Sequence, residues 1–415
     1  MKICLITNAH VSYNPRILKE ADVLCGAGHE VRVVAIDNHP ELACDDEKIL
    51  ASRRWKCVRI NFEKSHKKGR VRWAISGLRQ KFFYGVSGID LRLGIAEKAF
   101  CRYFSETLKE ALKEPADFYI AHNLQALPVA AQAARKNKGL LGFDMEDFHV
   151  SEDSYLTQDH ALQRLKDYLI NKYISACDYV SCTSEVMADA LVESLGIKRP
   201  VVLYNVFPLC YRDGLLSPDQ RSQRNESYSA YWFSHVVGLD RGLQDFIKAM
   251  SLFKKRIDLY LRGRIHENAK EELCNLGNSL NVAGCIHFLP PIYAEDLVRD
   301  AASYDFGLAL EQPVSRNRLL TVTNKIFTYL LAGLVIVVTD TPGQREIMEE
   351  AQGAGVVYKP GDYVGLANQV NALIEEDKLV TMKRRSWKLA EEKFNWDMEK
   401  DRLLQVIDEI NHKVK

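Results

Sequence analysis

Three cations in this sequence, Arg16, Arg241 and Lys325, fall where the residue pattern predicts that a helix begins after a strand and a loop. A helix N-terminus carries unpaired N–H groups and the positive end of the peptide dipole, so a cation there is disfavoured by roughly 0.3–1 kcal/mol. A bound anion would explain the charge, and phosphate suits both the backbone amides and the side chains. Lys325 alone could equally be an exposed lysine in a fraying turn. Three such positions together point to one diphosphate held between two facing sheets. Arg262 and Arg264, ending the predicted strand DLYLRG, either add to that charge or face solvent. Glu311 ends the predicted strand DFGLAL, where a carboxylate either accepts hydrogen bonds from ribose or sugar hydroxyls or is simply solvated. Thr323 is expected to cap the helix that carries Lys325, and Gly333 to stop it.

A second constellation lies earlier in the chain. His122 ends the predicted strand DFYIAHN, a position suited to sugar contact or proton handling, although a lone histidine also serves structure. Beyond the strand GLLGFD, ending at Asp144, follow Glu146, Asp147, His149, Glu152 and Asp153. Such a mixture either binds a divalent metal or is solvated. Asp144 and Glu146 are candidates for orienting an acceptor. There is no Ser-His-Asp order, zinc spacing, P-loop or Gly-rich dinucleotide fingerprint, which leaves hydrolase, zinc-enzyme, kinase and dehydrogenase readings little support.

The elements that must position these residues alternate. The strand Ile3–Ile6, the helix PRILKEADVLCGAG and the strand Val31–Ile36 form a β-α-β unit, which requires a parallel sheet with its ligand crevice beyond the strand ends. Helix pattern over residues 90 to 113, DFYIAHN, PVAAQAARKNKG, GLLGFD, helix 160 to 176, DYVSCTS, a helix from Ser184 and the strand VVLYN continue the series. Residues 207–229 lose periodicity and gain Pro, Arg, Ser and Asp, which marks a linker. A second series follows, from YWFS and the helix RGLQDFIKAM to GVVYK and helices reaching Lys415. The predicted fold class is α/β, with two Rossmann-like doubly wound parallel-sheet domains facing a cleft.

With 56 basic and 55 acidic side chains in 415 residues, overall charge argues against a protein that coats nucleic acid. No run of about 18 apolar residues is present, and MKICLITNAH reads as a strand, so the expected location is cytoplasmic. Ten cysteines without a C-x-x-C pair read as reduced thiols. Between Arg53 and Phe83, eleven lysines and arginines stand against the single acid Glu63, with Trp55, Trp73, Phe82 and Phe83 among them. That stretch is either a solvated basic face or a contact with an anionic membrane surface, each cation contributing about 1 kcal/mol near acidic lipid; nucleic acid is a poorer third reading, because no recognised binding motif accompanies the charge. A peripheral place on the inner face of the plasma membrane fits the second reading.

The segments NPRILKEADVLCGAGHEVRVV, CDYVSCTSEVMADAL, VVLYNV, NKIFTYLLAG, VIVVTDTPGQREI and AGVVYKPGD together resemble the GT-B glycosyltransferases of retaining family 4, also called glycosyl transferases group 1. The resemblance implies a nucleotide-diphosphate sugar as donor substrate and retained anomeric configuration; the expected acceptor is a glycan or lipid-linked one, and no metal or other cofactor is expected if Arg241, Lys325 and the helix termini supply the charge for the diphosphate. It implies an acceptor domain over 1–206, a donor domain over 230–394 and a returning helix over 395–415. The donor-side candidates are Arg16, Arg241, Arg264, Glu311, Thr323, Asn324, Lys325 and Thr328, of which the resemblance itself points to Arg241 and Lys325 for the diphosphate and to Glu311 and Thr328 as the places of the paired glutamates; His122 matches the family's active-site histidine region and joins Arg241 and Lys325 as a catalytic candidate. Asn8 joins Asp144 and Glu146 on the acceptor side. Two departures stand out. Thr328 occupies the place of the second of two paired glutamates, and NAHVSYNP replaces a glycine-rich loop after the first strand. A nucleotide-sugar epimerase of related fold and a non-catalytic glycan-binding protein remain the alternatives.

Overall fold

The computed structural model describes residues 1–150, 159–221 and 227–414. They form two units: Met1–Thr183, Met187–Leu203 and Lys400–Lys415 in the first, Ser184–Val186 and Tyr204–Glu399 in the second.

The first unit is built on β1 (Lys2–Thr7), α1 (Pro15–Gly26), β2 (Glu30–Asp37), α2 (Pro40–Leu50), β3 (Lys56–Asn61), α3 (Lys67–Ser87), α4 (Ile95–Phe100), α5 (Phe104–Ala111), β4 (Phe118–His122), α6 (Leu127–Asn137), β5 (Leu140–Met145), α7 (His160–Tyr173), β6 (Tyr179–Cys182), α8 (Glu185–Leu195) and β7 (Val201–Val202). All seven strands run parallel in the order β3-β2-β1-β4-β5-β6-β7. The order reverses between β1 and β4, and the crevice beyond such a switch point is where open α/β sheets take ligands. Pro15 opens α1 as expected, and Asn14 caps it, its side chain accepting from the N–H groups of Arg16 and Ile17. The helix expected over 90 to 113 is divided instead. Leu93 (φ 54°) and Gly94 (φ 81°) adopt left-handed backbone, which interrupts helix before α4. The strand expected over VVLYN is only two residues long, because the Tyr204 N–H donates to Glu399.

The second unit continues with β8 (Tyr228–Val237), α9 (Leu243–Met250), β9 (Ile257–Ile265), α10 (Glu267–Ser279), β10 (Ile286–Leu289), α11 (Leu297–Ala301), β11 (Phe306–Ala309), α12 (Arg316–Leu320), α13 (Asn324–Ala332), β12 (Val335–Thr339), α14 (Pro342–Glu350), β13 (Gly355–Tyr358), α15 (Tyr363–Glu375), α16 (Leu379–Glu392) and α17 (Trp396–Val414), whose residues from Lys400 belong to the first unit. Six parallel strands are ordered β10-β9-β8-β11-β12-β13, with the switch between β8 and β11. Trp232, Leu259, Leu308 and Val337 from four adjacent strands meet Phe246 of α9 and Val370 of α15 in one apolar core. Each such side chain contributes about 1.5–3 kcal/mol on burial. The stretch read as a linker lies within this unit: Arg212 stacks on Trp387 of α16 at 4.1 Å and donates to the Trp387 carbonyl.

Candidate functional site

At the switch point of the second unit, Glu311 follows β11 by two residues and is almost wholly buried. Its Oε1 lies 2.9 Å from Lys325 Nζ, and Oε2 pairs with Arg318 and lies 3.8 Å from Arg241 Nη1. Arg318 also reaches to 3.8 Å from Asp240 Oδ2. Burial pushes the Glu311 carboxyl up, but Lys325, Arg318 and Arg241 outweigh it and hold the pKa at about 2. Burial also pushes the Lys325 ammonium down, and Glu311 only partly restores it. His235 on β8 is held below its ordinary value, by desolvation first and then by Arg264 and Lys325, so Arg264 belongs to the same positive field. Three cations against the carboxylates of Glu311 and Asp240 leave this strand end positively charged.

Local structure explains how they meet. Gly242 (φ 71°) turns the chain from Arg241 into α9, and a Cβ there would lie 2.3 Å from the Leu310 carbonyl. The glycine lets the Arg241 turn approach the end of β11. Arg241 therefore precedes its helix, whereas the sequence reading placed it at the start. Thr323 does occupy the N-cap position of α13, yet its side chain makes no cap bond; its hydroxyl instead lies 3.3 Å from Lys325 Nζ as acceptor. Asn324 is the first residue of that helix and its carbonyl accepts from Thr328. Lys325 is not an exposed lysine: it is buried, with Nζ 5.4 Å from the centre of the Trp232 ring. Thr328, expected among donor contacts, is a core position with no exposed surface, its hydroxyl turned into its own helix. Gly333 stops α13 in left-handed backbone as expected. Arg262 is committed to Asp300 and the Pro290 carbonyl.

The switch point of the first unit has the opposite character. His122 at the end of β4 is wholly buried, its Nε2 2.6 Å from Glu20 Oε2 and its Nδ1 3.2 Å from Asp144 Oδ2 and 3.8 Å from Glu146 Oε1. Arg16, expected to face a diphosphate, donates through Nε and Nη2 to both oxygens of Asp144 at 2.8 and 2.6 Å, and through Nη1 to the Leu203 carbonyl. Ser181 donates to Asp144 as well, and Asn14 to Glu146. Burial alone would lower the His122 pKa, but Glu20, Asp144 and Glu146 hold it well above its ordinary value, which favours the protonated ring. Burial pushes Asp144 up, and Arg16 and His122 overturn that to leave it far below the usual carboxylate range. Asn8 is buried nearby and donates to the Gln125 carbonyl.

The donor atoms of His122, Asp144 and Glu146 lie within 4.8 Å of one another, close enough to hold a metal ion. Both Asp144 oxygens already receive the Arg16 guanidinium, and His122 would have to lose a strongly held proton, so this donor set suits an ion-pair network better than a metal. Asp147 and His149 lie beyond it, and Glu152 and Asp153 fall outside the described residues.

Residues 232–376, which contain the whole cation cluster, match the family model described as Glycosyl transferases group 1. That segment is therefore similar to the group 1 glycosyltransferases. Comparison with curated protein sequences gives no match. Among solved structures, this chain is similar to HepE of Anabaena in complex with UDP-glucose, at 16% identity and a TM-score of 0.70 over 99% of this chain and 100% of that one. It is similar to sucrose-phosphate synthase of Thermosynechococcus elongatus, at 12% identity and a TM-score of 0.70 over 100% of both chains. WaaG, a glycosyltransferase involved in lipopolysaccharide biosynthesis, gives 12% identity and a TM-score of 0.60 over 96% of this chain and 98% of that one. At such identities the likeness shows a shared fold, the two-domain Rossmann-like GT-B architecture.

Two functional candidates escaped the sequence reading. Arg318 sits on a five-residue helix that no periodicity announces, although Ser315, whose hydroxyl accepts from the Arg318 N–H, was a visible capping signal. Glu20 lies four residues after Arg16 on the same helix face, a spacing that places both side chains toward one neighbour.

Proposed function

We propose that this chain transfers a sugar from a nucleotide-diphosphate donor to a glycan or lipid-linked acceptor with retention of anomeric configuration. The observation that carries the reading is the gathering of Arg241, Arg318 and Lys325 on Glu311 at the switch point of the matched domain. Negative charge grows on the diphosphate as its bond to the anomeric carbon breaks, and cations fixed beforehand stabilise that charge without reorganising. Arg241 and Arg318, each about a quarter exposed, are the groups that meet the phosphates, and buried Lys325 adds its field from behind. In this reading no metal is needed for the leaving group. Arg264 and Asn324 complete the donor side, and Glu311 accepts from a sugar or ribose hydroxyl.

On the acceptor side, Glu146 keeps a partly exposed carboxylate and is the group to orient a hydroxyl. His122, Arg16 and Asp144 act as positioning residues that fix the ends of β4 and β5. An anionic membrane surface contacted through residues 53–83 would bring a lipid-linked acceptor within reach.

The test is a thermal-shift panel of uridine, guanosine and adenosine diphosphates with their sugar conjugates, since a ligand bound only by the folded state raises its apparent stability. The HepE complex with UDP-glucose makes the uridine compounds the first to try. A shift with a nucleotide diphosphate supports the reading. No shift with any nucleotide, alongside a shift with a glycan, would sink it in favour of a non-catalytic glycan-binding protein. Release of nucleotide and an altered sugar without acceptor would instead identify an epimerase.

A further inference from the structure

The basic stretch divides into β3 and α3, and most of its strand-side charge is already used. Arg53 pairs with Asp22, Lys56 with Glu114, Arg59 with Glu47 and Arg79 with Glu106. Trp55 is buried and donates to Asp22, and Trp73 lies under Lys64 and Arg102 at 4.1 and 4.8 Å. The aromatic residues that suggested a lipid contact therefore face the protein, with one exception, Phe82.

The opposite face of α3 carries a feature that the charge pattern hid. Val71, Ile75, Leu78 and Phe82 recur at intervals of four, three and four residues, which puts them in one line along the helix. They are 52, 54, 71 and 65% exposed. The line is about 16 Å long. Ile89 and Leu93, beyond the helix end, are 90 and 92% exposed. Lys67 and Lys68 stand at the start of the line, and Arg70 and Arg72 take its two sides, with Lys81 beside Arg70 one helical face round. Lys67, Lys68, Arg70 and Lys81 are exposed and make no ion pair among the described residues. An apolar line of this length in water is costly unless covered, and a rim of cations without acids chooses an anionic cover.

We infer that α3 is an in-plane membrane helix, which inserts Val71, Ile75, Leu78 and Phe82 into the acyl boundary of an anionic bilayer while its flanking cations bind the lipid phosphates. The inference rests on the membrane contact proposed above and changes its nature, from an electrostatic contact over the whole basic stretch to insertion of one helix. The helix α3 belongs to the first unit, and the donor candidates Arg241, Arg318 and Lys325 belong to the second.

The test is flotation of the full chain with vesicles of phosphatidylcholine, with and without phosphatidylglycerol, for the wild type and for Leu78→Ser combined with Phe82→Ser. Both positions are exposed, so thermal unfolding and the nucleotide-induced shift stay unchanged and report on the transferase reading separately. The expected result is binding to the phosphatidylglycerol vesicles that survives moderate salt, and binding by the double variant that is weaker by about tenfold or more. A Leu78→Trp variant is expected to show extra emission that brominated lipid quenches. Wild-type affinity in the double variant, with all binding removed by salt, would overturn insertion and leave the electrostatic contact standing. Failure to bind either vesicle would overturn both. A salt-independent dimer that the double variant abolishes would show that a second copy covers the line, and would overturn the inference too.

Discussion

The two switch points occupy the same place in two sheets of the same type and carry opposite charge. In the first unit, carboxylates of Glu20, Asp144 and Glu146 surround one imidazole ring and one guanidinium, nearly all buried. In the second, Arg241, Arg318 and Lys325 surround one carboxylate, and two of the cations reach solvent. The second, with cations that reach solvent, is the one proposed to hold a diphosphate. The first is closed on itself, with each Asp144 oxygen accepting from a cation, so its charges hold backbone ends in register. Fold position explains where polar groups collect; sign and access decide what they do.

This contrast can be broken by substitution. The largest effect is expected from Asp144→Ala, which leaves Arg16 buried without its partner and should cost about 3–5 kcal/mol in urea unfolding. A stability loss below about 1 kcal/mol would mean that the first-unit network is not structural. Arg241→Ala should do the reverse, leaving unfolding nearly unchanged while weakening nucleotide-diphosphate binding by about tenfold or more, roughly 1.4 kcal/mol. Arg318→Gln should weaken it several-fold, and unchanged affinity in both variants, measured by calorimetry, would remove the cluster from the donor site.

The sign of the contrast appears in pH dependence. The Glu311 pKa is lowered from 4.5 to about 2, so its pairing stabilises the fold fully above the ordinary value and is lost as pH falls toward about 2. His122 is raised, so its contribution is full below its ordinary value and is lost as pH climbs through the raised one. Thermal unfolding curves of Glu311→Gln and His122→Gln should therefore part from the wild type at opposite ends: the first converging on it in acid, the second in alkali. The smallest effect belongs to Thr328→Val, which removes one bond within a helix and should cost at most about 1 kcal/mol, with donor affinity unchanged. A marked loss of affinity would return Thr328 to the donor site.

Much of the architecture was legible in residue order. Alternating apolar runs and helix-period segments specified parallel sheets, since a strand followed by a helix and another strand has little other way to bury both faces. Pro15 and Gly333 marked helix ends because their backbone preferences act locally. Places where the reading and the structure differ depend on partners far along the chain. Arg16 and Lys325 looked alike as cations in a first helical turn, yet one meets Asp144, 128 residues away, and the other meets Glu311. The basic stretch read as one surface, but pairing with Asp22, Glu47, Glu106 and Glu114 neutralised part of it and left the line on α3 exposed.

The sequence by itself determined the two α/β series, the placement of polar groups at strand ends and the excess of cations in residues 53–83, because propensity, periodicity and composition are local. Tertiary structure alone decided which charges were satisfied and which faced solvent, since ion pairing and burial depend on contacts that periodicity does not encode. It thereby turned three similar cations at helix starts into one structural clamp, Arg16, and two members of a positive cluster, Arg241 and Lys325.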